Sequence, residues 1–386
     1  MTIYRDYMTG DRLVGLHVAY ASAMAKQMRI ETPILSYLSP TLMNLHTKGG
    51  MVPFGQRAYK YKEKQYLHAR TTLNGDVAEA ATTVVLTDKI ARPGDLIVVN
   101  DEVITLGDSD DYLTFTGCTR STFTGADHAL TSGDQVFLFG TSYAEQQNAP
   151  TAGPIKQATE VTTHTDIFMD SVKVSGSAQA MQQYAEGNMD KVVEYTLDVT
   201  IGLKHQLQYR MIWSDYQAGA GETTAGRMDG AYERVVGSNY IDFSDADITY
   251  PDIQKMVRKI NRKGNSGQKV LFVSDYQGHQ IDQWLQAYGR IDSSQWAQTV
   301  FGTHVPAVRV GNEIVDIIAT DIMDTQALMV SKDNVGVGPQ AADRVFHPEA
   351  LGKKGDYDEM MVVGEYTCEW MLVYSHCWGK SVNFAA

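Results

Sequence analysis

The residue groups in this 386-residue chain that come nearest to catalytic or binding motifs each lack a required member. Gly379-Lys380-Ser381 ends like a phosphate-binding loop, in which backbone N–H groups cradle phosphate and the lysine neutralises it. That loop needs a glycine five residues before Gly379, and Tyr374 stands there. Gly336-Val337-Gly338 follows an apolar run, as a dinucleotide fingerprint would, but Ala341 holds the third glycine's place, so a turn is predicted. Asp108, Asp110 and Asp111 suit the opening of a calcium loop. Leu113 occupies its glycine position and Thr119 its glutamate position, which predicts a hairpin tip instead. Ser274-Asp275 and His279 group a hydroxyl, a carboxylate and an imidazole where a strand is predicted to lead into a helix. There, Ser274 or Asp275 more simply caps the helix.

The ten histidines are scattered without an i, i+4 pair, and no G-x-S-x-G or C-x-x-C occurs. Cys118, Cys368 and Cys377 cannot all be paired, and the latter two lie in an apolar, strand-like tail that predicts buried thiols. Hydrolytic or metal chemistry needs several such groups to converge. The expectation is therefore no catalytic residue, no metal and no cofactor. The stretch Met1 to Met24 carries acids and arginines ahead of any apolar run, unlike a signal peptide. No run approaches the roughly 20 apolar residues of a membrane span. A soluble protein made in a reducing cytosol is expected.

The elements around these groups are more informative. An alanine-rich apolar stretch (Leu13 to Met28) and Pro33-Ile34-Leu35 precede Gly49 and Gly50. Next, Tyr59 and Tyr61 alternate with Lys60, Lys62 and Lys64, a period of two that marks a two-faced strand. Lysines along one face suit an exposed ribbon protected against stray pairing. Five short β-branched or aromatic runs follow: Val84–Leu86, Leu96–Val99, Val103–Leu106, Tyr112–Thr116 and Val136–Phe139. Turn residues such as Arg92-Pro93-Gly94-Asp95 and Ser132-Gly133-Asp134 separate them, which predicts a small all-β barrel or sandwich. Asn148 to Pro154 reads as a linker, and Ile155 to Ser175 is extended again, so a compact β-module interrupts a longer hairpin.

Apolar residues at Met189, Val192, Val193, Val199, Leu203, Leu207 and Met211, together with Thr196 and Thr200, predict one long helix of about six turns. Glu194, Asp198, Lys204 and Gln208 would occupy its other faces. Beyond a Gly-rich break (Ala218 to Gly226) the pattern is α/β. Pro251 to Lys263 is an amphipathic helix, Lys269–Val273 a buried strand, and Gln277 to Tyr288 a helix burying Ile281, Trp284, Leu285 and Tyr288. Strands follow at Val308–Val310, Glu313–Ala319, Ala327–Ser331 and in the tail from Tyr366.

Hydrophobic residues make up 43% of the chain and charged residues 20%, enough apolar surface for a sizeable core. The net charge is −13, so the surface as a whole is not built to neutralise phosphates. Residues 1–75 nevertheless hold ten Lys/Arg against four Asp/Glu, whereas residues 86–140 hold three against nine. A basic leading segment beside acidic neighbours suits contacts between copies of one chain, which complementary charge steers and registers.

This order of elements resembles the major capsid protein of tailed bacteriophages, with its HK97-type fold. Local wording agrees. The stretch Thr165-Asp166-Ile167-Phe168-Met169-Asp170-Ser171-Val172-Lys173-Val174-Ser175-Gly176-Ser177-Ala178-Gln179 resembles the entry to the long helix in the branch like phage SU10. Arg227-Met228-Asp229-Gly230-Ala231 resembles that branch's motif after the helix, with Ala231 for the usual leucine. Arg92-Pro93-Gly94-Asp95 with Thr119-Arg120-Ser121 resembles a β-module inserted in some members. The ribbon from Arg57 to Arg70 departs from the branch in being lysine-rich.

The resemblance implies an α+β, HK97-like capsid fold. Residues 1–50 would form the N-terminal arm, 51–78 with 153–176 the extended E-loop hairpin, and 79–150 the inserted β-module. The P-domain spine helix would occupy 177–216, the α/β A-domain 217–345, and returning strands 346–386. The implied function is a non-enzymatic head protein that self-assembles into hexamers and pentamers of an icosahedral shell around double-stranded DNA. An encapsulin-like compartment protein or a ring or adaptor protein is the alternative. A portal, and scaffolding or decoration proteins, would be partners, with no sequence-specific DNA contact and no membrane. The protein would reside in the virion after assembly in the host cytoplasm. Tyr59, Lys60, Tyr61, Lys62, Lys64 and Arg70 are the candidate assembly-interface residues, the cations facing acidic surface on an adjacent subunit.

Overall fold

The computed structural model describes residues 33–38, 55–64, 69–122, 127–141, 143, 145, 158–180, 191–220, 223–237, 239–262, 267–287, 307–352 and 355–383. The predicted features at Leu13–Met28, Gly49-Gly50, Asn148–Pro154, Met189 and Tyr288, and the side chains of Trp284 and Leu285, lie outside them. The chain divides into two compact units, Met1–Tyr61 with Glu160–Ala386, and Lys62–Thr159.

In the first unit, α1 (Pro33–Leu38) precedes strand β1 (Ala58–Glu63). The second unit holds β2 (Arg70–Thr72), β3 (Val84–Val85), β4 (Leu96–Val99), β5 (Glu102–Thr105), β6 (Thr114–Phe115) and β7 (Gln135–Gly140). The chain then returns through β8 (Thr159–His164), β9 (Asp166–Ser175), the short α2 (Gly176–Ala180) and the long α3 (Lys191–Trp213). The remainder runs α4 (Ala231–Val236), β10 (Tyr240–Ala246), α5 (Tyr250–Asn261), β11 (Lys269–Val273), α6 (Asp275–Ala287), β12 (Ala307–Val310), β13 (Glu313–Ala319) and β14 (Ala327–Ser331). It closes with β15 (Val335–Pro339), β16 (His347–Ala350), β17 (Tyr357–Trp370) and β18 (Cys377–Val382).

Two sheets build the first unit beside the β1–β8 ribbon. One is six-stranded in the order β10-β18-β14-β11-β13-β12. Its central strand β11 is buried at every position, as its unbroken apolar run requires, and pairs parallel to β13 and antiparallel to β14. Helix α5 packs Ile253, Met256, Val257 and Ile260 into this core. Thr249 and Asp252 cap each other's backbone at its start, and Pro251 sits in the first turn, where no N–H is missed. Ser274 caps α6 by accepting the Gln277 N–H at 3.2 Å.

The other sheet is organised by the 14-residue β17, which pairs with β9 over ten residues and with β15 and β16. Helix α3 lies on the Phe168, Val172 and Val174 face of β9 and buries Val199, Leu203, Leu207 and Met211, one per turn. Three residues of α3 depart from the predicted faces. Val193 is exposed, Glu194 is buried, and Gln208 is fully buried, its Oε1 accepting the Leu35 N–H of α1 at 3.2 Å. Gly336 and Gly338 also depart from prediction, forming a strand, β15, rather than a turn. There β17 supplies the backbone partners, and a Cβ on Gly336 would lie 3.1 Å from the Glu369 carboxylate.

The second unit is all-β, as the five apolar runs predict. A four-stranded antiparallel sheet (β2-β7-β4-β5) and the β3–β6 pair enclose Leu73, Val84, Leu86, Ile97, Val99, Ile104, Phe115 and Val136. Burial alternates along β4 and β5, the period-two signature of a sheet with one solvated face. Glu102 is fully buried on β5 and held by Arg120 through two ionic contacts of 2.6 and 2.7 Å. Arg120 also donates to the carbonyls of Ala78, Ala81 and His128. Asp111 accepts the N–H groups of Leu113 and Thr114 at 2.8 Å, which makes the acidic cluster a turn cap, the predicted hairpin tip.

Candidate assembly interface

The tyrosine–lysine alternation becomes the two-faced β1, where Tyr61 is buried while Lys60 and Lys62 are exposed. Tyr59 and Tyr61 stack with centroids 6.2 Å apart. The Tyr61 hydroxyl donates to the Trp370 carbonyl at 3.4 Å, and the Tyr59 hydroxyl donates to the Glu369 carboxylate. Burial and Glu369 both push the Tyr59 phenol up. Burial likewise raises the Glu369 carboxyl, which Tyr59 partly offsets. The tyrosine face thus fastens the ribbon to the end of β17.

The opposite face presents the cations. Lys60 Nζ lies 2.6 Å from Glu160 Oε1 on β8, and Lys62 and Lys64 have no carboxylate partner among the described residues. Arg70 lies on β2 in the second unit, stacked 5.0 Å over the Phe137 ring. The structure therefore brings Tyr59, Lys60, Tyr61 and Lys62 onto one strand, with Lys64 just beyond it and Arg70 on β2.

The ribbon's base is a buried polar cluster. Thr165, between β8 and β9, donates its N–H to the Arg57 carbonyl at 2.8 Å and its hydroxyl to Glu365 at 2.5 Å. Arg57 also approaches Glu365 at 3.5 Å. On the neighbouring positions, Arg210 of α3 reaches Asp166 at 2.9 Å and its guanidinium lies over Phe168. Burial raises the Asp166 carboxyl against the pull of Arg210. His164 is buried too, and burial followed by the Arg57 charge lowers its pKa, while Glu365 and Asp166 pull the other way.

Sequence patterning missed a second surface, on α3. Val193 and Leu197 are each 51% exposed one turn apart, and Trp213 and Tyr232, partly open and tilted against each other, both meet the buried Trp378 edge-on. Their signal is present in the sequence as apolar residues out of phase with the Val199, Leu203, Leu207 and Met211 stripe. Exposed aromatic and aliphatic groups of this kind mark protein contacts more than solvent-facing surface. In the second unit, Phe137 and Phe139 give the solvated face of β7 a similar character.

A cleft of about 640 Å³ between α5 and the β12–β13 turn is lined by Gln254, Arg258, Asn312 and Glu313, but the Glu313 carboxylate is engaged by Lys269 at 2.7 Å. Among the described residues no three His, Cys, Asp or Glu side chains converge as metal ligands, and no helix is long and apolar enough to cross a membrane. Gly379-Lys380-Ser381 lies in β18, where Gly379 and Lys380 pair with Ile241 and Asp242 of β10.

Comparison with known proteins gives this arrangement its meaning. No curated protein matches the chain. Among solved structures, it superposes on a subunit of the cyanophage A-1(L) capsid with a TM-score of 0.53 at 9% identity, covering 94% of this chain and 96% of that one. The capsid of a native GTA particle gives a TM-score of 0.50 at 9% identity, covering 95% of each chain. These likenesses establish the HK97-like capsid fold expected from the order of elements. The family model described as SU10 major capsid protein matches residues 29–383, and the chain belongs to that family of phage major capsid proteins.

Proposed function

We propose that copies of this chain assemble into hexamers and pentamers that close as an icosahedral shell around double-stranded DNA. The observation that carries this reading is the ribbon, whose tyrosine face is fastened to its own subunit while its lysine face is turned outward. A strand anchored on one side and charged on the other is built to meet another body. The residues after position 75 sum to a charge of −19, which supplies acidic surface on a neighbouring copy.

On this reading β1 and β8 form the base of the extended loop, α3 is the spine and the six-stranded sheet is the A-domain. The β-module stands in the loop. The −13 net charge suits a shell whose DNA is driven in through a portal, since a wall that condensed DNA would need a basic surface. Assembly takes place in the host cytoplasm with scaffolding or decoration proteins as helpers, and the chain itself performs no catalysis.

The test is charge reversal. Lys60→Glu with Lys62→Glu and Lys64→Glu should abolish closed particles, and added salt should slow assembly of the unaltered chain, as screening of complementary charge demands. Full assembly by the triple variant would remove the ribbon from the interface. Closed particles that exclude nucleic acid under packaging conditions would favour a compartment shell, and open rings an adaptor.

A further inference from the structure

At the ribbon's base the chain changes partners, with Glu160–His164 pairing with β1 and Asp166 onward with β17, and Thr165 between them. Thr165 is held by Arg57 and Glu365, which also face each other at 3.5 Å. The adjacent His164 ring is buried, and its Nδ1 has no hydrogen-bond partner among the described residues. Backbone closes over it, since a Cβ on Gly226 would come within 2.7 Å of Nδ1, and one on Gly219 within 3.4 Å of Cε1. Nδ1 is therefore closed off from water without a partner, in a residue that stays 7% exposed.

We propose that His164 is a proton-operated latch, closed while the ring is neutral, whose protonation opens the base of the ribbon at Thr165. A second proton places an N–H donor on Nδ1 where no acceptor stands, so the imidazolium must draw in water and displace the Gly226 backbone. The charged and titratable groups around it come from each packed element. They are Arg57 ahead of β1, Asp166 on β9, Glu365 on β17 and Tyr216 after α3, whose ring lies 6.5 Å away. Arg57 repels the imidazolium. Glu365 attracts it, but already accepts from Thr165 and faces Arg57. Asp166 attracts it as well, and is paired with Arg210.

The direction follows from linkage. The closed base binds a proton at His164 less readily than the open base does, so closure is favoured above the ordinary histidine pKa of about 6.5 and weakens as pH falls below it. Asp166 acts in the opposite sense. Its carboxyl is raised by burial, so its own protonation relieves the closed state, and the two contributions separate by mutation. A consequence for shell formation rests on the capsid reading above, but the latch itself is a property of the single subunit and is tested there.

Hydrogen exchange read by mass spectrometry on the full-length, unassembled chain at pH 7.5 and 5.5, corrected for intrinsic rates, is the experiment. Peptides covering 55–61 and 160–166 should exchange about threefold faster or more at pH 5.5, while the β11 peptide stays unchanged. His164→Gln, which cannot be charged, should remove that difference, and Arg57→Met should shrink it by removing the repulsion. An unaltered chain with no acid-dependent rise at the ribbon base, or a His164→Gln variant that keeps it, would overturn the proposal. Either result stands whether or not the subunit goes on to form shells.

Discussion

Lys60 Nζ sits 2.6 Å from Glu160 Oε1, so the first cation of the ribbon's outer face takes its carboxylate from the other strand of the same hairpin. The Glu160 hydrogen bond, followed by its charge, raises the Lys60 pKa, and the pair stays open to solvent. An exposed pair of this kind adds little to folding and keeps its charges near the surface, where a second subunit can engage them. Replacing Lys60, Lys62 and Lys64 together with glutamine should therefore leave thermal melting of the subunit unchanged. The same variant should assemble more slowly and with a weaker salt dependence than the unaltered chain, read by light scattering across a salt series.

The spine helix carries its own prediction. Leu197 is half exposed on α3 and outside the buried core cluster, so Leu197→Glu should fold normally by circular dichroism. If the α3 surface is covered by a neighbouring copy, the buried glutamate would be desolvated there, and sedimentation should show assembly strongly reduced.

The β-module depends on one buried ion pair. Arg120→Met would strand Glu102 without its cation and should destabilise the module by about 3–5 kcal/mol. Burial alone would push the Glu102 carboxyl up, but Arg120 and the N–H groups of His128 and Ser121 hold it below its ordinary value. A depressed carboxyl stabilises the fold above its unfolded pKa and ceases to do so as pH falls through the folded one. Chemical denaturation followed by near-ultraviolet dichroism should thus show the module weakening below about pH 4.5, with the Arg120→Met variant far less stable at neutral pH.

His376 offers a second acid-sensitive site, distinct from the ribbon. It is fully buried against Trp370, its Nε2 lies 3.1 Å from the Met371 carbonyl, and burial holds its pKa down to about 4. Because the folded chain resists this proton, the contribution of His376 to stability is complete above pH 6.5 and lost as pH approaches 4. The loss is on the order of 3 kcal/mol. His376→Asn should be less stable at neutral pH yet show a shallower decline between pH 6.5 and 4 in urea titrations at stepped pH.

Local chemistry was readable where the cause is local. The Tyr59, Lys60, Tyr61, Lys62 alternation, the unbroken Lys269–Val273 run and the amphipathic helix from Pro251 each act within a few residues, and the structure forms all three. Partners far along the chain were not readable. Gln208 is buried because Leu35, 173 residues away, donates to it, and Gly336 and Gly338 are extended because β17 lies beside them. The interface was half legible. Charge alternation exposes the lysine face, but only the packed α3 shows that Val193 and Leu197 are left outside the core.

Negative-stain electron microscopy of the expressed chain, paired with sedimentation velocity over a range of concentrations, tests the shell-forming account most directly. The account predicts closed particles with five- and sixfold capsomers, in exchange with free subunits. Open rings of a single symmetry would contradict it.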